Sequence, residues 1–338
     1  NVQQDGDSTY SGTIVGGGQL LKNGTGTLTL AGANTYSGGT SVGGGVLQGT
    51  TASLQGNLDV ATGARVAFAQ STIGTYAGNV SGGGTLTIGG GGAVVLTGTV
   101  GHTGGTTIAV NTILQIGNGG TAGSLAGNVV TNGTLCFYRS DDIVFAGNIS
   151  GSGGVTLMGT GGVTLTGANT YTGATTVGGG VILASSDANL GPTGNLLVLN
   201  GGAVQATASF TSPRSIELGV GGGTFDTNGY TLTLAGTVSG NGRLTKSGAG
   251  TLVLAGTSIY SGGTTVSGGI LQGTTDSLQG DITNNAVVAF NQITAGTHGG
   301  AIFGAGAVTI DGSVTFTGAN TYSGGTTIST GSVLSLGG

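Results

Sequence analysis

Apolar and polar residues alternate over short runs along this chain. In Thr27-Leu28-Thr29-Leu30 the leucines point one way and the threonines the other; Val163 and Leu165 alternate with Thr164 and Thr166, and Leu252 and Leu254 with Thr251 and Val253. Period-two alternation bounded by Gly or Asn marks a half-buried strand. The breaks (GGG, NG, SGG, GG) come every few residues, and glycine turns corners in quick succession because it takes positive φ without steric cost. Helical periodicity is missing. Glu occurs once (Glu217), Met once (Met158) and Lys twice (Lys22, Lys246), so amphipathic helices of ordinary length are not expected. The pattern predicts an all-β chain.

The strands fall into a repeat. GTLTLAGANTYSGGTSVGGGVLQG at 26–49 returns as GGVTLTGANTYTGATTVGGGVILA at 161–184, as GTLVLAGTSIYSGGTTVSGGILQG at 250–273 and as SVTFTGANTYSGGTTISTGSVLSL at 313–336. A degenerate copy, AVVLTGTVGHTGGTTIAVNTILQI, spans 93–116. The tyrosine slot is thus Tyr36, His102, Tyr171, Tyr260 and Tyr322, at steps of 66, 69, 89 and 62 residues. Between the copies, residues 50–88 match 274–310 (Tyr76 opposite His298), and 145–157 match 234–246 and 10–22. Each cycle therefore has three parts of about 21–23 residues, the length of one coil of a solenoid made of three short strands and three corners. The expectation is one β-helical domain over 1–338, with roughly 15 coils stacked at ~4.8 Å. The long 89-residue step implies an extra coil, placed at 204–229. A propeller would show an even period and aromatic blade markers, and an immunoglobulin-like tandem would need longer strands and a Trp; the steps are uneven and Trp is absent.

The block GTLTLAGANTYSGGTSVGGGVLQG resembles the autotransporter-associated β-strand repeat of Gram-negative type V secretion passengers, and with its siblings and linking blocks this covers nearly the whole chain. The resemblance implies a right-handed parallel β-helix, export through the periplasm to the cell surface or into the medium, and a C-terminal outer-membrane barrel elsewhere in the precursor. The GANTYSGGT residues Asn34, Tyr36, Asn169, Tyr171, Tyr260, Asn320 and Tyr322 are read as structural: a strand end, a Gly-rich corner and a ring covering it. Tyr gives way to His at 102, and Asn34 to Ser258, exchanges that a corner-filling group tolerates and a catalytic one does not. Recurring once per cycle, these corners are expected to line one edge of the solenoid.

Composition narrows the chemistry. Of 338 residues 80 are Gly and 17 are charged, with a net charge of −5. Mean hydropathy is positive (+0.31) and Thr and Val abound, which argues against disorder. The acidic balance and the lack of a basic patch exclude nucleic acid as an expected partner. The single cysteine, Cys136, allows no intrachain disulfide framework. No catalytic, cofactor-binding or metal-ligating set is expected. His102 and His298 sit in slots that Tyr fills elsewhere; Ser8 in GDST lacks the Asp-x-x-His of a GDSL-type lipase, Ala295 standing three residues before His298. The acidic and basic residues that a polysaccharide-cleaving β-helix would use are Arg139, Asp141 and Asp142, the two acids reading as a turn, and Arg214, Glu217 and Asp226, read as an outward patch on the extra coil. The leading expectation is a non-catalytic stalk that contributes to adhesion or autoaggregation, with a second copy on another cell or host-surface glycans as partners. A polysaccharide-active enzyme and the β-helical part of a secreted toxin are the alternatives.

Overall fold

A computed structural model of the chain describes residues 1–337. It is an all-β parallel solenoid of about 17 turns, divided into two compact units, Asn1–Gly173 and Ala174–Gly338.

In the first unit one parallel ladder runs through Val2–Gln3, Leu20–Asn23, Thr40–Val42, Leu58–Val60, Val80–Ser81, Thr99–Val100 and Ser124–Leu125. A second runs from Ser8–Tyr10 through Thr27–Leu30 and Val46–Gly49 to Ile149–Ser150. A third joins Ile73–Tyr76, Ala93–Leu96, Ile113–Ile116, Thr134–Arg139 and Gly154–Gly159. Ile143–Phe145 pairs separately with Gly162–Leu165. In the second unit comparable ladders run from Thr175–Val177 to Val238–Gly240, from Val181–Ala184 to Ile302–Phe303, and from Phe210–Ser212 to Thr326–Ile328. Gly296–His298, Ser313–Phe316 and Val333–Leu336 form the last. A short 3-10 turn, Asp187–Leu190, is the one helical element among the described residues.

Register explains the core. Leu28, Leu47, Val66, Leu86, Thr106, Val129 and Ile149 stack directly, one per turn, and each is buried. In the second unit Leu232, Leu252, Leu271, Val288 and Val308 do the same. Each fully buried Leu or Val contributes about 1.5–3 kcal/mol. Corners are tight because turns lie directly on one another. Gly151 and Gly240 both have φ of +105°, and a Cβ there would collide with the Thr131 and Leu218 carbonyls of the turn beneath.

The common register step is 20 residues (Ser8 to Leu28, Ile73 to Ala93), with extremes of 17 (Ile270 to Val287) and 25 (Thr99 to Ser124). Turns are thus shorter than the 21–23 residues expected. The same fact corrects the expectation that the repeat corners share one edge. A 66-residue step holds three 20-residue turns and one further side. Each copy therefore begins one face later than the last. In the first unit the opening strands Thr27–Leu30, Ala93–Leu96 and Gly162–Leu165 belong to three different ladders. In the second, Thr251–Leu254 and Ser313–Phe316 belong to two.

Candidate functional site

The recurrent corners come first because the sequence singles them out. The Gln55 N–H donates to Tyr36 Oη (3.2 Å), Tyr36 Oη bonds Thr40 Oγ1 (2.8 Å), and Thr40 Oγ1 donates back to the Gln55 carbonyl (3.1 Å). This closed ring of three bonds seals the corner. Tyr260 repeats two of these bonds, with Thr264 (2.7 Å) and the Gln279 backbone, and Tyr322 bonds Thr326 at 2.5 Å. Tyr171 is fully buried. His102 holds Thr106 (3.2 Å) and the Gly105 carbonyl (3.0 Å) with one nitrogen, Nε2. The asparagines replace strand hydrogen bonds where the backbone bends. Asn34 Oδ1 accepts from the Ile14 N–H (2.7 Å), Asn169 Oδ1 from Ile149 (3.0 Å) and Asn320 Oδ1 from Ile302 (2.8 Å), each one turn earlier.

A second device follows the Tyr36 and Tyr260 corners. Ser53 Oγ accepts the Thr50 N–H (2.6 Å) and Gln70 Oε1 the Thr51 N–H (3.0 Å), which folds Thr50–Leu54 into a knot and drives Leu54 into the core. Tyr76 Oη, donating to the Gly56 carbonyl, ties the far side. Thr274, Ser277, Leu278 and Gln292 repeat the knot, with Nδ1 of His298 against the Leu278 carbonyl (3.1 Å) in place of Tyr76. The His298 ring also packs on Phe290 and Phe316, at centroid distances of 5.4 and 6.1 Å. Burial lowers the pKa of both histidines and raises those of Tyr76 and Tyr260. These rings are neutral, buried fasteners.

The charged candidates are also engaged. Arg214 is buried instead of lying on an outward patch. Its Nε and Nη2 clasp the two Asp187 carboxylate oxygens at 2.8 Å, and its remaining donors reach the carbonyls of Asp187, Leu190 and Gly191. The reason is local. The 3-10 turn leaves inward carbonyls unpaired, and a planar guanidinium satisfies several at once. Asp226 accepts from Gln205 Nε2 (2.7 Å), and Glu217 stands exposed on its strand. Arg139 forks onto Asp141 (2.8 Å twice), and Asp142 Oδ1 accepts the Gly162 N–H (2.7 Å). The two aspartates lie in the bend between Thr134–Arg139 and Ile143–Phe145. Ser8 is an exposed strand residue in register with Leu28. Cys136 is buried on its strand, and burial pushes its thiol up to about 11, so it stays protonated. Among the described residues no three His, Cys, Asp or Glu side chains group to hold a metal.

Sequence reasoning missed two buried lysines. Lys22 Nζ donates to the carbonyls of Asn23, Gly24 and Gly44 (2.8, 3.1 and 3.2 Å), and Lys246 Nζ to those of Ser247, Gly248 and Gly268 (2.8, 2.7 and 2.9 Å). Both close sibling blocks, 10–22 and 234–246, and a lysine repeated in so uncharged a chain was the available signal. Burial lowers the pKa of Lys22 and brings that of Lys246 down to about 8.

A parallel solenoid whose repeated polar residues tie one turn to the next belongs to the class of repeat-built β-solenoid proteins. The passenger-associated-transport repeat matches residues 20–48, 150–184, 244–272 and 311–335, so these four stretches carry a repeat of the kind found in autotransporter passengers. The copy at 93–116 lies outside all four matched stretches. Over 151 residues the chain is 37% identical to the adhesin BmaC autotransporter of Brucella suis biovar 1 (strain 1330). That stretch is 43% of this chain and 4% of the relative's length. No solved structure matches the chain.

Proposed function

We propose that this region is a non-catalytic, adhesive stretch of a surface-exposed or secreted passenger, exported through the periplasm of a Gram-negative cell. The observation that supports it best is an outward hydroxyl ladder: Thr224, Thr245, Thr265 and Thr283 stand in register on four successive turns, with the half-exposed Phe303 on the next. Stacked at ~4.8 Å, such side chains make a flat hydrogen-bonding face without a pocket. Arg243 extends it by donating to Thr265 Oγ1 at 3.0 Å. A face of this kind suits a sugar hydroxyl array or a second copy of itself. The adhesin relative supports the same reading, while Arg139, Asp141, Asp142, Arg214 and Asp226 are engaged with neighbouring side chains or backbone.

Display of residues 1–338 on a non-adherent cell tests this. Clumping of a pure culture supports self-association, attachment only to host cells supports a host-surface partner, and inert cells refute adhesion by this region. Thr245→Glu with Thr265→Glu should abolish whichever is seen while the far-ultraviolet dichroism stays that of the parent. Cleavage of a polysaccharide that disappears in Glu217→Gln would replace this reading with the enzymatic one.

A further inference from the structure

The degenerate copy differs from its siblings at positions that converge on one place. Aligned motif by motif beyond the tyrosine slot (VLQG on ILQI, SLQGN on SLAGN, YAGN on FAGN), Leu54 and Leu278 correspond to Leu125, Gln70 and Gln292 to Arg139, Tyr76 and His298 to Phe145, and Gly49 and Gly273 to Ile116. Every tie that holds the leucine plug in the sibling turns is altered. His102 is shorter than Tyr36 and ends on Thr106 and Gly105 rather than on the plug turn. Phe145 has no polar tip to match the Tyr76 bond to Gly56. Arg139 bonds Asp141 and the Gly123 carbonyl where a glutamine would hold the knot. The knot itself grows from three residues (50–52) to seven (117–123).

Ile116 completes the change. A Cβ on Gly49 would collide with Ser53 Oγ and approach Leu54 to 3.0 Å, and Gly273 is crowded by Ser277 and Leu278 in the same way. The fully buried Ile116 side chain therefore occupies space that the plug needs. Leu54 and Leu278 are 0% exposed, whereas Leu125 is half-buried. The ladder of that face also breaks here, Ser124–Leu125 ending one sheet and Ile143–Phe145 beginning another. What remains is an open cavity of about 240 Å³ lined by Ile116, Leu125, Phe137, Arg139, Ile143 and Phe145.

We propose that this cavity is a binding site for a small uncharged apolar molecule, aryl or branched alkyl, bearing a hydrogen-bond acceptor at one end. Size and lining set the apolar part: a cavity of ~150 Å³ holds benzene, and here the Phe137 and Phe145 rings form a wall with centroids 5.5 Å apart. Arg139 sets the polar end. Three of its five N–H donors go to Asp141 and Gly123, which leaves two for a ligand. Charge decides against an anion, since Asp141 already neutralises Arg139, and the exposed Asp142 directly precedes the lining residue Ile143. A carboxylate would lose its water without net attraction.

Acetophenone, ethylbenzene and benzoate, each titrated to about 10 mM, test this against the methyl resonances of Ile116, Leu125 and Ile143. Acetophenone should bind about tenfold tighter than ethylbenzene and at least about tenfold tighter than benzoate. Arg139→Gln, which installs the residue of the sibling copies, should erase the preference over ethylbenzene and leave ethylbenzene unchanged. Leu125→Trp, which fills the space from a half-exposed position, should abolish all binding. Absence of shifts with acetophenone in the parent protein, binding that survives Leu125→Trp, or tighter binding of benzoate would each overturn the proposal.

Discussion

Arg214 and Asp187 offer the sharpest test of whether the charged residues of this solenoid are fasteners or reagents. Asp187→Ala removes the carboxylate that takes two guanidinium bonds at 2.8 Å and one from Ser212 Oγ at 2.6 Å. Arg214, 2% exposed, cannot swing to water. Leaving a buried charge without its partner costs about 3–5 kcal/mol, against about 0–1 for an exposed pair. Arg214→Met in the Asp187→Ala background removes the orphaned charge and fills similar volume, so most of the loss should return. The Gly191 carbonyl then loses the guanidinium donor, while that of Leu190 keeps Thr175 Oγ1 (2.9 Å), and recovery should stop about 1–3 kcal/mol short of the parent. Solenoids open locally, so the readout is native-state hydrogen exchange of the amides from Ile182 to Leu199. A loss of 3–5 kcal/mol accelerates them by roughly 10²–10⁴. A change below about 1 kcal/mol in Asp187→Ala, or a double variant as weak as the sum of the singles, would refute the fastener reading.

Lys246, near pKa 8 when folded, titrates near 10.4 when unfolded. Between those values the unfolded chain binds the extra proton, so stability should rise as pH goes from 8 toward 10, and urea midpoints should lose that slope in Lys246→Met. Tyr36→Phe breaks the ring of bonds through Thr40 and Gln55 and should cost about 1–3 kcal/mol in denaturant unfolding, with no effect on cell attachment in the display assay. Leu54→Ala should cost about 2–5 kcal/mol, while Leu125→Ala should cost about 1 or less because that leucine has already left the core. Gly49→Ile forces the same expulsion on the first copy and should destabilise it by at least about 1–3 kcal/mol, read as the urea midpoint.

Much of this protein is written in the chain itself. Alternating runs such as Thr27–Leu30 fix strand length and the inward face, because side chains on a strand alternate regardless of what surrounds it. The spacing of GANTYSGGT fixes a stacked, repeating architecture and, through its resemblance, the passenger class. His102 and His298 are legible as ring substitutes because tyrosine fills their slots elsewhere. Long-range geometry is what the sequence leaves open. Whether a 66-residue cycle makes three turns or three and a side depends on how tightly each corner closes, which is set by the turn beneath it. The burial of Arg214, the carbonyl cages of Lys22 and Lys246, and the withdrawn Leu125 depend on carbonyls and side chains about 20 residues away, brought together only by stacking. Local pattern determined the coil, and contact between coils decided which polar groups became part of its core and where that core opened.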